Sequence, residues 1–223
     1  MRSCTSVLFL LAAALSGCGG PRGAGASEDA LGGSSENSLV QPAATPTAGN
    51  GPFGIERGQD IRSLQATAEP QPGWYRVTAI PRPHPDFDEL QVMAAPGVGV
   101  CRIAAISPVL SEDRYGSAIR ERVDRVAAQL GERYGPGEKT DFCDTDASTC
   151  REGYWSMHIH GGARSYRYSW RTAQSRPLPS GLASIDLFVG ATDTYAPYAI
   201  LRYTFDNDRQ CERALNREAG QAL

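Results

Sequence analysis

The chain of 223 residues has little of what catalytic and nucleic-acid-binding proteins usually display. It contains three histidines, and Lys139 is the only lysine among 22 basic residues. No G-x-S-x-G segment occurs, so a nucleophile-elbow hydrolase has no support. No C-x-x-C spacing occurs either, which argues against a thiolate zinc site. The segment GPGEKT from Gly135 resembles a phosphate-binding loop only superficially: Glu138 stands where that loop needs glycine, would repel phosphate, and follows a helical pattern rather than a strand. The apolar run Val7 to Leu15 is nine residues long, against about 20 for a helical membrane span. A formal net charge of −3 removes nucleic acid as the expected partner.

What is present begins with an address. Arg2, the apolar run, and the small residues Ser16 and Gly17 before Cys18 form a secretory signal pattern over residues 1–17. Leu15-Ser16-Gly17-Cys18 resembles the bacterial lipobox, which implies cleavage before Cys18 and acylation of that residue. Stable anchoring takes more than one acyl chain. Gly19 after Cys18 resembles the outer-membrane sorting pattern, so the expected location is the periplasmic face of the outer membrane. Residues 18–52 are largely Gly, Ala, Ser, Pro, Thr and Asn and read as a tether that cannot offset its ordering entropy. Residues 53–223 are then one extracytoplasmic domain.

Removing Cys4 with the signal and Cys18 with lipid leaves Cys101, Cys143, Cys150 and Cys211, an even set in an oxidising compartment. Three pairings are open. Cys143 and Cys150 flank the polar DTDAST and form the easiest closure; Cys101 would then pair with Cys211.

Periodicity predicts a helix over Ser117 to Tyr134, with Ile119, Val123, Val126, Ala127, Leu130 and Tyr134 on one face. A short helix near Gln59 to Gln65 and a last one from about Asp208 accompany it. Seven strands are expected: 74–80, 90–95, 98–106, 154–160, 163–171, 183–189 and 198–205. The fold class is α+β, a single domain whose antiparallel strands carry helices on one face.

YWSMHIHGG is the most enzyme-like stretch. Read as a strand with Gly161-Gly162 as a hairpin turn, it places His158 and His160 on one face, where two imidazoles could share a metal. The same register sets His158 opposite Ser165 and Ser156 opposite Arg167, so a cation there would face Arg167. The preferred reading is a polar outward face on which His158, His160, Arg167 and Arg171 form a candidate binding strip for an acidic envelope protein or an anionic glycan. Trp155, Met157, Ile159, Tyr166, Tyr168 and Trp170 form the core side. No metal, cofactor or catalytic residue is expected.

The segments FGIERG from Phe53, PHPDF from Pro83, GVCRIAAI from Gly99, RYG from Arg114, ERYG from Glu132, DF at Asp141, Trp155, Trp170 and YTFDN from Tyr203 resemble a group of small bacterial proteins, many secreted or lipid-anchored. The resemblance implies a Cys101–Cys211 bridge; the group's corresponding hairpins lack a histidine pair, which argues against a metal role for His158 and His160, and no activity comes with it. The expected function is binding, as an envelope accessory factor or as an inhibitor or immunity protein against a periplasmic enzyme or toxin. The alternative is an envelope hydrolase with a dispersed site.

Overall fold

A computed structural model describes residues 49–144, 150, 152–171, 177–179 and 181–221. The signal pattern, Cys18 and the tether as far as residue 48 lie outside them. The folded unit takes in Gly49 to Pro52: Pro52 is buried, and the Gly49 amide donates to the Gly54 carbonyl at 2.8 Å.

The described residues form an α+β unit of one eight-stranded antiparallel sheet and three α-helices. The strands are β1 (Ala66–Ala68), β2 (Trp74–Val77), β3 (Glu89–Ala95), β4 (Gly99–Ile106), β5 (Glu138–Cys143), β6 (Arg164–Arg171), β7 (Leu182–Ala191) and β8 (Pro197–Phe205). The helices are α1 (Ser117–Tyr134), α2 (Trp155–His160) and α3 (Asp208–Gln221). The sheet order β1-β2-β3-β4-β8-β7-β6-β5 makes two four-strand meanders that meet where β4 pairs with β8. Helix α1 carries the chain from the centre to the far edge.

Pleating sorts the side chains. In β8 every second residue is buried, from Pro197 and Ala199 to Leu201, Tyr203 and Phe205, while Tyr198, Ile200, Arg202 and Thr204 stay half-exposed. The buried face joins Leu90, Val92, Ile103, Ile185 and Leu187 in one core under α1 and α2. The α1 stripe is the one its periodicity predicts. Gly116 caps this helix at φ 66°, and the Asp113 carboxylate accepts the Ile119 amide at 2.8 Å in place of a capping side chain.

Helix α3 corrects the expectation of helices on one face: it lies on the other sheet face, over a second cluster of Met93, Ala95, Cys101, Cys211 and Ala214, because the bulged end of β3–β4 leaves these side chains to be covered there. Its ties are the Cys101–Cys211 disulfide, with Cα atoms 6.4 Å apart, and Arg102, which reaches Asp208 at 2.5 Å and Glu212 at 2.6 Å. The second disulfide joins Cys143 to Cys150 across 6.2 Å between Cα atoms. Both pairings agree with the expected ones and are compatible with an oxidising, extracytoplasmic location. No helix among the described residues is long and apolar enough to cross a membrane.

One strand assignment is corrected. Residues 154–160 do not form a strand paired through Gly161-Gly162; they end as helix α2. The edge of β6 is taken by β5, which sets Phe142 opposite Ser165, Thr140 opposite Arg167 and Cys143 opposite Arg164. The segment carries two overlapping patterns, and the helical one buries Trp155, Ser156, His158 and Ile159 while Met157 is exposed. Tertiary contacts favour the helix: the Ser156 hydroxyl donates to the Asp113 carbonyl, and Trp155 packs against Gly116 between the guanidiniums of Arg120 and Arg164, each 5.5 Å from its ring.

Candidate functional site

The helical course of residues 155–160 takes the expected binding strip apart. His158 and His160 lie on α2, against the core face of the sheet, where Trp155 meets Tyr166 at 5.7 Å between ring centroids. Arg167 and Arg171 alternate with Tyr166, Tyr168 and Trp170 along β6 and therefore point through the opposite face. The two imidazoles do not share a direction either, since residues two apart on a helix diverge. His158 is buried beside Cys143, its Nδ1 3.7 Å from the sulfur, and His160 faces the Ala191 carbonyl at 3.4 Å.

Arg167 and Arg171 do lie together on one face of β6, with partners that sequence reading missed. Asp186, only 4 % exposed, accepts from Arg167 and from Arg171 at 2.7 Å each. A buried carboxylate needs such partners. On the next strand Arg202 is the cross-strand neighbour of Asp186, and its guanidinium lies over the Phe188 ring at 5.2 Å. Two guanidiniums thus hold one buried carboxylate, and a third arginine stands beside them over an aromatic ring.

Register supplies an apolar row beside them. Arg167 pairs with Phe188, Phe188 with Ile200, Ile200 with Ile106 and Ile106 with Glu89, so one line crosses β6, β7, β8, β4 and β3 on a single face. A parallel line runs from Asp186 through Arg202 and Ala104 to Gln91. Phe188, Ile200 and Ile106 are half-exposed, and α3 sits to one side over β3 and β4. Farther along the sheet the charges are balanced: Arg76 is held by Glu69 at 2.7 Å and Glu89 at 2.6 Å, and Arg102 by the α3 carboxylates. The β6–β8 end differs in placing Arg167, Arg171 and Arg202 beside the apolar row. The one signal for it in the sequence was Asp186 itself, a lone acid inside the apolar run Ile185 to Val189.

A second polar cluster, on the core side, pins the helix to the sheet. The Asp124 carboxylate of α1 accepts from Tyr166 Oη at 2.6 Å, Tyr168 Oη at 2.7 Å and Lys139 Nζ at 3.2 Å. The lysine ammonium also lies 4.8 Å from the Tyr166 ring and 5.1 Å from that of Tyr168. Partial desolvation of Asp124 opposes ionisation, yet the two hydroxyls and the ammonium outweigh it and hold the carboxyl below its ordinary range. Burial, and then the bond to Asp124, push Tyr166 up to about 12. Lys139 is raised as well, its partners exceeding the desolvation that opposes them, so it stays protonated and is no nucleophile.

Four surface cavities of about 310 to 470 Å³ open on the folded unit. Each is lined by a single carboxylate or imidazole: Asp60, His84, Glu56 and Asp124 respectively. Paired acid and base groups do not converge in any of these four. Compared with protein-family models, with curated proteins and with solved structures, the chain returns no match.

Proposed function

We propose that this is a lipid-anchored envelope protein that works by binding an acidic partner protein through its open sheet face. The observation that carries the reading is Arg167 and Arg171 held by the buried Asp186, with Arg202 over Phe188 in the half-exposed row Phe188, Ile200 and Ile106. Arginine next to an aromatic ring on a flat apolar strip is the composition of a binding hot spot. The arginine side chains favour carboxylates, and the strip supplies apolar area to bury. Asp186 holds Arg167 and Arg171 in place before any partner arrives, so little of their ordering entropy has to be lost on binding.

In this reading Cys18 carries the lipid and residues 19–48 supply reach, which suits an accessory factor or an inhibitor or immunity protein at the periplasmic face of the outer membrane. The four surface cavities, each with one carboxylate or imidazole, give the hydrolase alternative no comparable support.

The test is crosslinking in cells followed by affinity capture, comparing the wild type with Arg202→Ala, Phe188→Ala and the double variant. Arg62→Ala, at a distant exposed ion pair with Asp60, is the control. A specific partner whose yield falls at least tenfold in the double variant, and falls with added salt, is the expected result. Equal capture by all four proteins would refute the reading, as would a partner that proves to be a neutral glycan.

A further inference from the structure

Among the described residues, three donors of a kind that holds soft metal ions converge at one place: Cys143 Sγ, Cys150 Sγ and a ring nitrogen of His158 lie within 4.8 Å of one another. They come from three segments: the end of β5, the start of the return chain, and the middle of α2. The imidazole is not a surface group that happens to swing by. His158 is 9 % exposed, its ring stacks on Tyr154 at 6.3 Å between centroids and 14° between planes, and its Nδ1 faces Cys143 at 3.7 Å.

We propose that reducing the Cys143–Cys150 disulfide opens a Cys2His site for one Cu(I) ion. Two thiolates and one imidazole match the low coordination number and soft donors that Cu(I) prefers over harder ions. The disulfide form offers no thiolate, so binding is conditional on redox state. The half-exposed position of Cys143 and Cys150 makes this bridge accessible to a reductant, whereas Cys101 and Cys211 are fully buried.

The chemistry balances with a dithiol as the reductant. An attacking thiolate breaks the Cys143–Cys150 bond through a mixed disulfide; its second thiol resolves that intermediate, so two electrons and two protons arrive at Cys143 and Cys150 while the dithiol becomes a disulfide. Binding of Cu(I) then releases the two thiol protons, and His158 enters as a neutral ligand. The 3.7 Å approach of Nδ1 to Cys143 and the stacking on Tyr154 orient the imidazole before the metal arrives. The site lies on the α2 side of the sheet, away from the arginine face, so its failure leaves the binding proposal untouched.

The test uses the full chain, reduced with limited dithiothreitol, freed of reductant without oxygen, and offered Cu(I) as its bicinchoninate complex. Wild type, Cys143→Ser/Cys150→Ser and His158→Gln are compared, with the untreated disulfide form beside them; thiols common to all variants cancel in the differences. One additional equivalent of copper in the reduced wild type is expected, with none in the disulfide form or the double-serine protein. His158→Gln should retain copper at least tenfold more weakly while keeping a native circular dichroism spectrum. Undiminished affinity in His158→Gln would overturn the proposal, and so would equal copper uptake by the double-serine protein.

Discussion

The two disulfides differ in what they close, and this gives a quantitative prediction. Cys101 and Cys211 are 110 residues apart, Cys143 and Cys150 seven. Loop-closure entropy makes the long bridge worth about 5 kcal/mol and the short one about 2 kcal/mol, through what each removes from the unfolded chain. Native contacts point the same way. The long bridge joins the bulged part of β4 to α3, whose own apolar cluster is small and whose other ties include the Arg102 ion pairs. Replacing Cys101 and Cys211 by alanine should therefore lower the unfolding free energy in guanidinium by about 4 to 5 kcal/mol, and replacing Cys143 and Cys150 by about 2. For a domain of this size the corresponding falls in Tm are about 10 to 20 °C and about 4 to 8 °C. Amide exchange should also quicken across α3 in the first variant alone. Equal losses in the two variants, or a larger loss from the short bridge, would refute the entropic argument and the view that α3 depends on its covalent tie.

Three further predictions concern the core side of the sheet. Asp124 has a depressed carboxyl in the folded state, so its contribution is complete above an unfolded value of about 4 and disappears as pH falls through the folded one. Asp124→Asn should thus flatten the acid limb of the stability profile, read by urea unfolding at a series of pH values. For Tyr166 the sign reverses: a phenol pushed up to about 12 stabilises below its unfolded value of about 10, and that stabilisation is lost as pH rises through about 12. Tyr166→Phe should remove one late-titrating tyrosinate from the ultraviolet absorbance titration, and Asp124→Asn should move that component to lower pH. Gly116→Ala places a Cβ at φ 66° against the buried Trp155 ring, and the strain plus the clash should destabilise the fold by about 2 to 4 kcal/mol in thermal unfolding.

Local chemistry was sufficient for some elements and insufficient for others. The α1 stripe, the alternation in β8 and the central strands β3 and β4 were legible because each pattern has one period and no competitor. Residues 154–160 satisfied both periods: Trp155, Met157 and Ile159 alternate, while Trp155, His158 and Ile159 follow a helix. Strand β5 was missed for the converse reason, since its burial is nowhere complete and its Glu138, Lys139 and Asp141 resemble a loop. Its place is set by hydrogen bonds to β6, an edge that sequence reading had already assigned elsewhere. The short strand β1, Ala66–Ala68, was too weak in pattern to be recognised.

The candidate face shows the same division. That Arg167 and Arg171 share a side of one strand follows from a period of two and needs no structure. That Asp186 holds both, that Arg202 stands over Phe188, and that His158 lies across the sheet beside Cys143 depend on which strands become neighbours. By itself, then, the sequence determined the α+β class, the main helix, the cysteine count and the pattern of address at Cys18, because these rest on local periodicity, composition and parity. Tertiary structure alone decided which charges meet, which face stays open, and where the histidines point. Those outcomes depend on contacts between residues far apart in the chain, and no local pattern encodes which of the competing pairings wins.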